Sequence, residues 1–123
     1  MNMNDYCPDK WVVVKITGKD RPVIHKIFAS WYGGYGGSDS WRLNSGIAKV
    51  SLKNATYAGS YLGSTFYFEG ISGSVYKCDK NVYGTNLYSQ GIISRMIENA
   101  KFNEISIEIL PEETNWLEIN YAN

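Results

Sequence analysis

The segment from Trp31 to Gly46 contains the residue types best suited to ligand recognition. Its sixteen positions include two Trp, two Tyr, five Gly, three Ser, one Asp, one Arg and one Asn. Aromatic rings provide large contact areas at low entropic cost, and Ser, Gly and Asn provide adaptable hydrogen bonds. Arg42 adds a planar guanidinium that fits a carboxylate or a phosphate. The composition of this segment predicts a binding loop for a small anion.

The predicted ligand-binding residues are Trp31, Tyr35, Ser40, Trp41, Arg42, Asn44 and Lys77. The Trp and Tyr rings would stack on a planar group such as a base, and Ser40 and Arg42 would hold a phosphate. Lys77 belongs to a second candidate patch, residues 73–78, and would face the same pocket as Arg42. The glycines would let backbone N–H groups approach the ligand closely.

A structural interpretation of the same segment is equally open. The segment would then be a long hairpin loop, with Trp31 and Trp41 packed as core residues. Asp39 and Asn44 would stabilise its turns, which is a common role for these side chains.

The sequence gives little support for catalysis, and we predict no catalytic residue, metal or cofactor. His25 is the only histidine, so an ordinary zinc site is nearly excluded. His25 also lies on an apolar strand pattern without an evident partner for general base catalysis. No nucleotide-binding glycine motif and no G-x-S-x-G motif occurs. A small nucleotide hydrolase that uses His25 nevertheless stays open as an alternative.

The charge balance excludes a general nucleic-acid binder. Twelve Lys and Arg are balanced by twelve Asp and Glu in 123 residues, whereas phosphate-backbone affinity needs an excess of cations. Residues 1–60 contain eight Lys/Arg and four Asp, and residues 61–123 contain four Lys/Arg and eight Asp/Glu. Either the two halves pair within one fold, or a mildly basic face attracts a small anion.

Length and targeting signals predict one cytosolic domain over residues 1–123. The N-terminus lacks the basic and apolar regions of a signal peptide. The longest apolar run, over residues 12–14, is far shorter than the roughly 20 residues of a membrane span. Cys7 and Cys78 are predicted to be reduced, since two cysteines in a chain of this size do not form a disulfide framework.

Hydrophobic periodicity predicts an α+β fold. Period-two alternation predicts a hairpin from Trp11–Thr17 and Val23–Trp31, and a turn is expected at Asn54–Ala55. The i, i+3, i+4, i+7 spacing predicts one amphipathic helix near residues 89–102, capped by Ser89. Trp116–Tyr121 is predicted to be an edge strand or a tail that docks on a partner.

The whole pattern predicts five to seven strands in a mostly antiparallel sheet, open or closed into a barrel, with the helix on one face. Gly59 and Gly63 indicate bulges or a close approach of the backbone in the Tyr- and Phe-rich stretch from Tyr57 to Gly70.

Two blocks of the sequence resemble small accessory proteins of large tailed bacteriophages. The first runs from Ser30-Trp31-Tyr32-Gly33-Gly34-Tyr35 to Asp39-Ser40-Trp41-Arg42-Leu43-Asn44-Ser45-Gly46-Ile47. The second is Gly73-Ser74-Val75-Tyr76-Lys77-Cys78. The resemblance implies a context in the host bacterial cytoplasm, where such proteins often disable host enzymes or defence systems by binding. It assigns no functional residue.

Taken together, these features favour a non-catalytic phage protein that sequesters a small anionic ligand, such as a nucleotide immune signal. The alternative is a protein–protein inhibitor of a host defence enzyme, in which the same Tyr, Trp and Arg residues would be interface anchors. The expected partners are thus a small anion or a host protein, with neither bulk nucleic acid nor a membrane. Self-association into a homo-oligomer is a further expectation.

Overall fold

The computed structural model describes residues 5–34 and 37–121, which form eight strands and one α-helix. The strands are β1 (Asp5–Tyr6), β2 (Lys10–Gly18), β3 (Ile24–Trp31), β4 (Ser40–Leu43), β5 (Ile47–Tyr57), β6 (Ser60–Gly70), β7 (Val75–Asp79) and β8 (Ile105–Ile109). The helix α1 spans Leu87–Phe102, and a short 3-10 turn spans Lys80–Val82.

The strands form two sheets. Sheet I has the order β1-β7-β6-β5 and sheet II the order β4-β3-β2-β8. Strand neighbours are antiparallel except for β1 and β7, which are parallel. The predicted α+β class with mostly antiparallel strands and one helix is confirmed. Within the described residues the strands number eight rather than five to seven, and they form two open sheets rather than a single sheet or a closed barrel.

The predicted hairpin is confirmed as β2 and β3, which pair from Lys10 opposite Ser30 to Ile16 opposite Ile24. Both strands are apolar on both faces, since each face is covered by a different layer. One face points toward sheet I and forms the main core with it; its buried residues include Trp11, Val13, Ile27, Ala29, Phe66, Phe68, Tyr76 and Cys78. Each fully buried large side chain contributes roughly 1.5–3 kcal/mol to stability.

The helix α1 covers the other face of sheet II, which confirms its predicted position on one face of a sheet. Ile93 is fully buried against Val12, Val14 and Phe28. The N-cap is Asn86 rather than the predicted Ser89. The Asn86 side chain accepts a hydrogen bond from the Ser89 backbone N–H, and the Ser89 hydroxyl accepts one from the Asn86 N–H. Ser89 thus completes a capping box three residues further on.

The β5–β6 hairpin extends beyond the core. Its turn lies at Ala58–Gly59, with φ values of 51° and 82°, and not at Asn54–Ala55, where β5 continues unbroken. Positive φ at both central residues gives the twist that a tight hairpin needs. Gly63, with a φ of 154°, lies at a register shift. Every residue from 51 to 62 is exposed.

The C-terminal segment packs against the protein's own core. Residues 116–121 form no strand, which corrects the edge-strand interpretation. Trp116 is buried between the two sheets, and Ile119 and Tyr121 pack against the same core. The Tyr121 hydroxyl donates a hydrogen bond to the Trp116 carbonyl at 2.6 Å. This segment therefore completes the core that the strands leave open.

Candidate functional site

The segment from Trp31 to Gly46 is a β-hairpin whose second strand divides its side chains between two faces. Ser40 lies opposite Trp31, Trp41 opposite Ser30, and Arg42 opposite Ala29. Because successive side chains of a strand point to opposite faces, Arg42 lies on the side of sheet I and Trp41 on the side of α1. The hairpin therefore cannot direct all its candidate residues into one pocket.

The glycines of the loop allow its two arms to touch. A Cβ atom added to Gly33 would lie 2.2 Å from the carbonyl carbon of Ser38, and one added to Gly37 would lie 2.2 Å from the Gly33 oxygen. The Gly33 N–H also donates to Asp39 Oδ1 at 2.9 Å, so Asp39 stabilises this turn. Tyr35 lies outside the described residues, and its predicted role stays a prediction.

Both tryptophan rings have partners within the protein. Trp31 is half-buried against Tyr6, with ring centroids 6.2 Å apart, and its indole N–H donates to the Cys7 carbonyl at 2.9 Å. Trp41 stacks on Phe28 at 5.5 Å and leaves 40% of its surface exposed. One face of the Trp41 ring is thus engaged in packing, but Trp41 is exposed and not the core residue that the structural interpretation expects.

Arg42 and Asn44 line a common cleft of about 370 Å³. The cleft lies where β4 leaves sheet II and where the turn before β7 approaches it. Its lining residues are Lys26, Arg42, Leu43, Asn44, Ser45, Ser72, Ser74 and Tyr76. Two of these residues are cationic and three are serines, while none is acidic. We call this site the Arg42 cleft.

The positive charge of the Arg42 cleft is not neutralised by neighbouring carboxylates. Within the described residues the ion pairs are Lys49–Glu69 and Lys77–Asp5, and neither involves Arg42 or Lys26. The Arg42 guanidinium lies 4.7 Å from the centre of the Tyr6 ring. This contact engages the face of the guanidinium, and a side-chain hydrogen bond to Tyr76 engages part of its donor set.

Tyr76 borders the inner end of the Arg42 cleft but belongs to the core, with only 1% of its surface exposed. Its ring stacks on Tyr6 at 4.9 Å, so the two rings and Arg42 form one packed group. Burial raises the pKa of Tyr76 above its ordinary value, and the positive charge of Arg42 acts in the opposite direction. Tyr76 is therefore a neutral hydroxyl at physiological pH, and the cationic character of the cleft comes from Arg42 and Lys26.

Hydrogen bonds between two turns shape the floor of the cleft. The Ser45 hydroxyl donates to Ser72 Oγ at 3.1 Å and accepts from the Ser72 N–H at 3.0 Å. The Ile71 N–H donates to the Gly46 carbonyl at 2.8 Å. These contacts join the exit of sheet II to a turn of sheet I, which fixes the serine hydroxyls relative to Arg42.

Asn44 connects this floor to the core. Its side-chain oxygen accepts a hydrogen bond from the Ile27 N–H at 2.8 Å, and its own N–H donates to the Ile27 carbonyl at 3.0 Å. Asn44 is buried, so these bonds continue the β3–β4 pairing after β4 has ended. Asn44 therefore stabilises the chain after β4, as the structural interpretation predicts. In a ligand site it would mainly position its neighbours in the cleft.

Replacing Asn44 with alanine is expected to lower the free energy of unfolding by about 1–3 kcal/mol, because the buried Ile27 N–H loses its acceptor. Urea denaturation would measure the change. Ser45→Ala is the matched control, since its hydroxyl bonds are exposed and its loss should cost less than about 1 kcal/mol. Equal effects of the two substitutions would contradict the structural role of Asn44.

Lys77 and Ser40 do not line the Arg42 cleft. Lys77 alternates with Tyr76 and points to the outer face of sheet I, where its amine lies 3.2 Å from Asp5 and 5.6 Å from the Tyr67 ring centre. The hydrogen bond that the Lys77 ammonium donates to the Asp5 carboxylate raises the pKa of Lys77. The hypothesis that Lys77 shares a pocket with Arg42 is thus not supported by the placement of its side chain.

His25 does not line the Arg42 cleft either. It is buried, and its ring packs edge-to-face on Tyr121 at 5.4 Å. Burial lowers the pKa of His25 below its ordinary value of 6.5, and the positive charge of Lys15 acts in the same direction. The packed position matches the structural interpretation of this residue.

The depressed pKa of His25 predicts how stability depends on pH. Above about pH 6.5 the imidazole is neutral in both states, and below it the unfolded chain takes up a proton that the folded protein resists. The free energy of unfolding should therefore fall as the pH drops below about 6.5. His25→Gln should flatten that slope in urea denaturation series between about pH 7.5 and pH 5.5. Parallel curves for the variant and the wild type would exclude His25 as the titrating group.

The place of Lys26 in this cleft was not predictable from the residues around Arg42. Lys26 interrupts an otherwise mostly apolar strand pattern, Ile24–Trp31, and that interruption was the available signal. Ser74 and Tyr76 belong to the second candidate patch, so the patch does reach the cleft, although through different side chains than Lys77. The approach of the two patches depends on sheet packing, which a linear pattern does not reveal.

Comparison with protein-family models, with curated proteins and with solved structures gave no match. Among the described residues, no helix is long and apolar enough to cross a membrane. Because folds host many unrelated activities, we infer function from the site itself.

Proposed function

We propose that this protein is a non-catalytic binding protein that captures a small phosphate-bearing anion in the Arg42 cleft. The observation that carries the proposal is the lining of the cleft, with two cations, three serine hydroxyls and no carboxylate. Cationic side chains in a cleft without carboxylates attract an anionic ligand.

The geometry of the cleft matches a phosphate better than a simple halide. A guanidinium fork binds two oxygens of one phosphate, and serine hydroxyls can donate to the others. The volume of about 370 Å³ lies within the range of small-molecule sites, roughly 300–1,000 Å³. A nucleotide with one or two phosphates is a ligand class that uses the positive charge of the cleft, and its sugar and base can form hydrogen bonds with the serine hydroxyls.

The resemblance to phage accessory proteins implies a role for this binding in countering host defence. We propose that the protein acts in the host bacterial cytoplasm and sequesters a nucleotide immune signal, which would otherwise activate a host defence. Sequestration requires tight binding and no turnover, and the cleft lining offers no carboxylate or histidine for acid–base chemistry.

Isothermal titration calorimetry with cyclic mononucleotides, cyclic dinucleotides, ADP-ribose and inorganic pyrophosphate tests this function. We expect at least one nucleotide to bind more tightly than pyrophosphate, since its sugar and base add hydrogen bonds to the serine hydroxyls that a bare diphosphate lacks. The recovered ligand should be chemically unchanged on chromatography. Absence of heat with every compound would contradict the proposal, and conversion of a ligand would favour the hydrolase alternative.

The exposed β5–β6 hairpin supports a second candidate function, the inhibition of a host protein. Tyr57, Tyr61 and Leu62 are 75%, 61% and 64% exposed near its tip, and large exposed apolar side chains are typical of protein interfaces. A photo-crosslinking amino acid at position 57 would capture such a target in infected-cell extract. Loss of the crosslink in Leu62→Ser, with retention in Arg42→Gln, would assign inhibition to the hairpin.

A further inference from the structure

A second cleft, of about 450 Å³, lies beside the C-terminal end of α1. It is bounded by β2, β3, β8, the helix and the turn between β2 and β3. Its lining residues are Ile16, Arg21, Pro22, Ile24, Lys26, Ala100, Ile105 and Ile107. We call it the isoleucine cleft, because four isoleucines supply most of its walls.

The isoleucine cleft combines apolar walls with two cations. Arg21 and Lys26 are its only charged lining residues among those the structure describes. Glu104 lies with Arg21 in an adjoining groove, but no ion pair joins them within the described residues. A purely apolar ligand would leave both cations without a partner, and a purely inorganic anion would leave the isoleucine walls in contact with water.

The isoleucine cleft and the Arg42 cleft have Lys26 in common. Lys26 lies opposite Val14, so its side chain leaves β3 on the α1 side of sheet II, the side of the isoleucine cleft. It borders the Arg42 cleft at the edge of β3 beyond the end of β4. The two clefts are thus adjacent, and a ligand in one is expected to alter the charge available to the other.

We propose that the isoleucine cleft binds a small organic anion with an apolar body, of the class of a medium-chain carboxylate. The carboxylate lies between Arg21 and Lys26, and the hydrocarbon chain lies against the isoleucines. This site goes beyond the proposed function, since its ligand needs an apolar body and no phosphate. The negative end of the helix dipole lies near Ala100, so the carboxylate group points away from the helix and toward the two cations.

Calorimetric titration with hexanoate, octanoate and 1-hexanol tests this assignment on the full chain. We expect hexanoate to bind at least tenfold more tightly than 1-hexanol, because only the carboxylate pairs with the cations. Octanoate should bind about tenfold more tightly than hexanoate, since each buried methylene gives roughly a three- to fourfold gain. Equal affinity for hexanoate and 1-hexanol, or no binding of octanoate, would overturn the proposal.

Two charge variants separate this site from the Arg42 cleft. Arg21 is exposed, so Arg21→Gln should fold normally; it is expected to weaken octanoate at least fivefold and leave nucleotide binding unchanged. Arg42→Gln should do the reverse, while Lys26→Gln should weaken both ligands. Lys53→Gln, on the outer face of sheet I, is the matched control and should weaken neither. An octanoate affinity that Arg21→Gln leaves unchanged would overturn the proposal even if nucleotide binding is confirmed.

Discussion

Replacement of Trp116 with alanine is expected to lower the free energy of unfolding by about 3–5 kcal/mol, the usual cost of deleting a large buried aromatic side chain. Only 2% of Trp116 is exposed. Its ring stacks on Tyr83 at 5.5 Å and meets Trp11 edge-on at 5.9 Å. Removing it would leave a cavity between the two sheets. Since domains of this size are stable by roughly 5–15 kcal/mol, the loss would be a large part of the total.

Urea denaturation followed by far-ultraviolet circular dichroism measures this effect without depending on tryptophan fluorescence. Leu117→Ala is the matched control, because the neighbouring side chain is half exposed and its truncation should cost less than about 1 kcal/mol. If Trp116→Ala lost no more than Leu117→Ala, the C-terminal segment would not be part of the core.

Arg42→Gln is expected to reduce nucleotide affinity by at least tenfold. Hydrogen bonds to charged groups contribute about 1.5–3 kcal/mol, and about 1.4 kcal/mol corresponds to a tenfold change in affinity. Glutamine keeps a polar side chain but removes the charge and the bidentate fork. The calorimetric panel described above measures the change.

The fold should tolerate Arg42→Gln because this side chain is exposed and lies in no ion pair of the described residues. Thermal unfolding of the variant should therefore resemble that of the wild type. Lys53→Gln removes the same charge from a different surface and should leave affinity within about twofold, since distant surface charges are screened at physiological salt. Equal losses from both substitutions would indicate general electrostatic attraction instead of a defined site.

Elements long enough to contain several repeats of a hydrophobic pattern were predictable from the sequence. β2 and β3 each contain enough alternating residues to define two faces, and α1 contains four apolar residues at helical spacing. The helix boundary was less predictable, because Asn86 and Ser89 are both good capping residues and only the backbone geometry distinguishes N-cap from N3.

The strand count and the second sheet were harder to predict because the missing strands are short. β1 has two residues and β4 has four, too few for a period to emerge. β1 also pairs in parallel with β7, about seventy residues away in sequence, and no local pattern encodes such a pairing. Tertiary packing alone decides that the sheets lie face to face.

The candidate site was predictable in its chemistry and only partly in its members. Arg42 and Asn44 were identified from the composition of their segment, and they do lie together. Trp31 and Trp41 were predicted to bind the ligand for the same reason, but their rings pack against Tyr6 and Phe28. Composition cannot separate these cases, because an aromatic ring serves equally well in a core or in a binding site. Lys26 was missed because its contribution depends on the approach of a distant turn.

A titration of isotope-labelled protein with a nucleotide, followed by ¹H–¹⁵N correlation spectra, tests the central claim most directly. Binding in the Arg42 cleft should shift the backbone signals of Ser45, Ser72 and Ser74 and the side-chain signal of Arg42, in a saturable manner with one common affinity. The signals of the β5–β6 hairpin tip should remain in place. Shifts confined to other surfaces, or none at millimolar ligand, would contradict the claim that this cleft is the binding site.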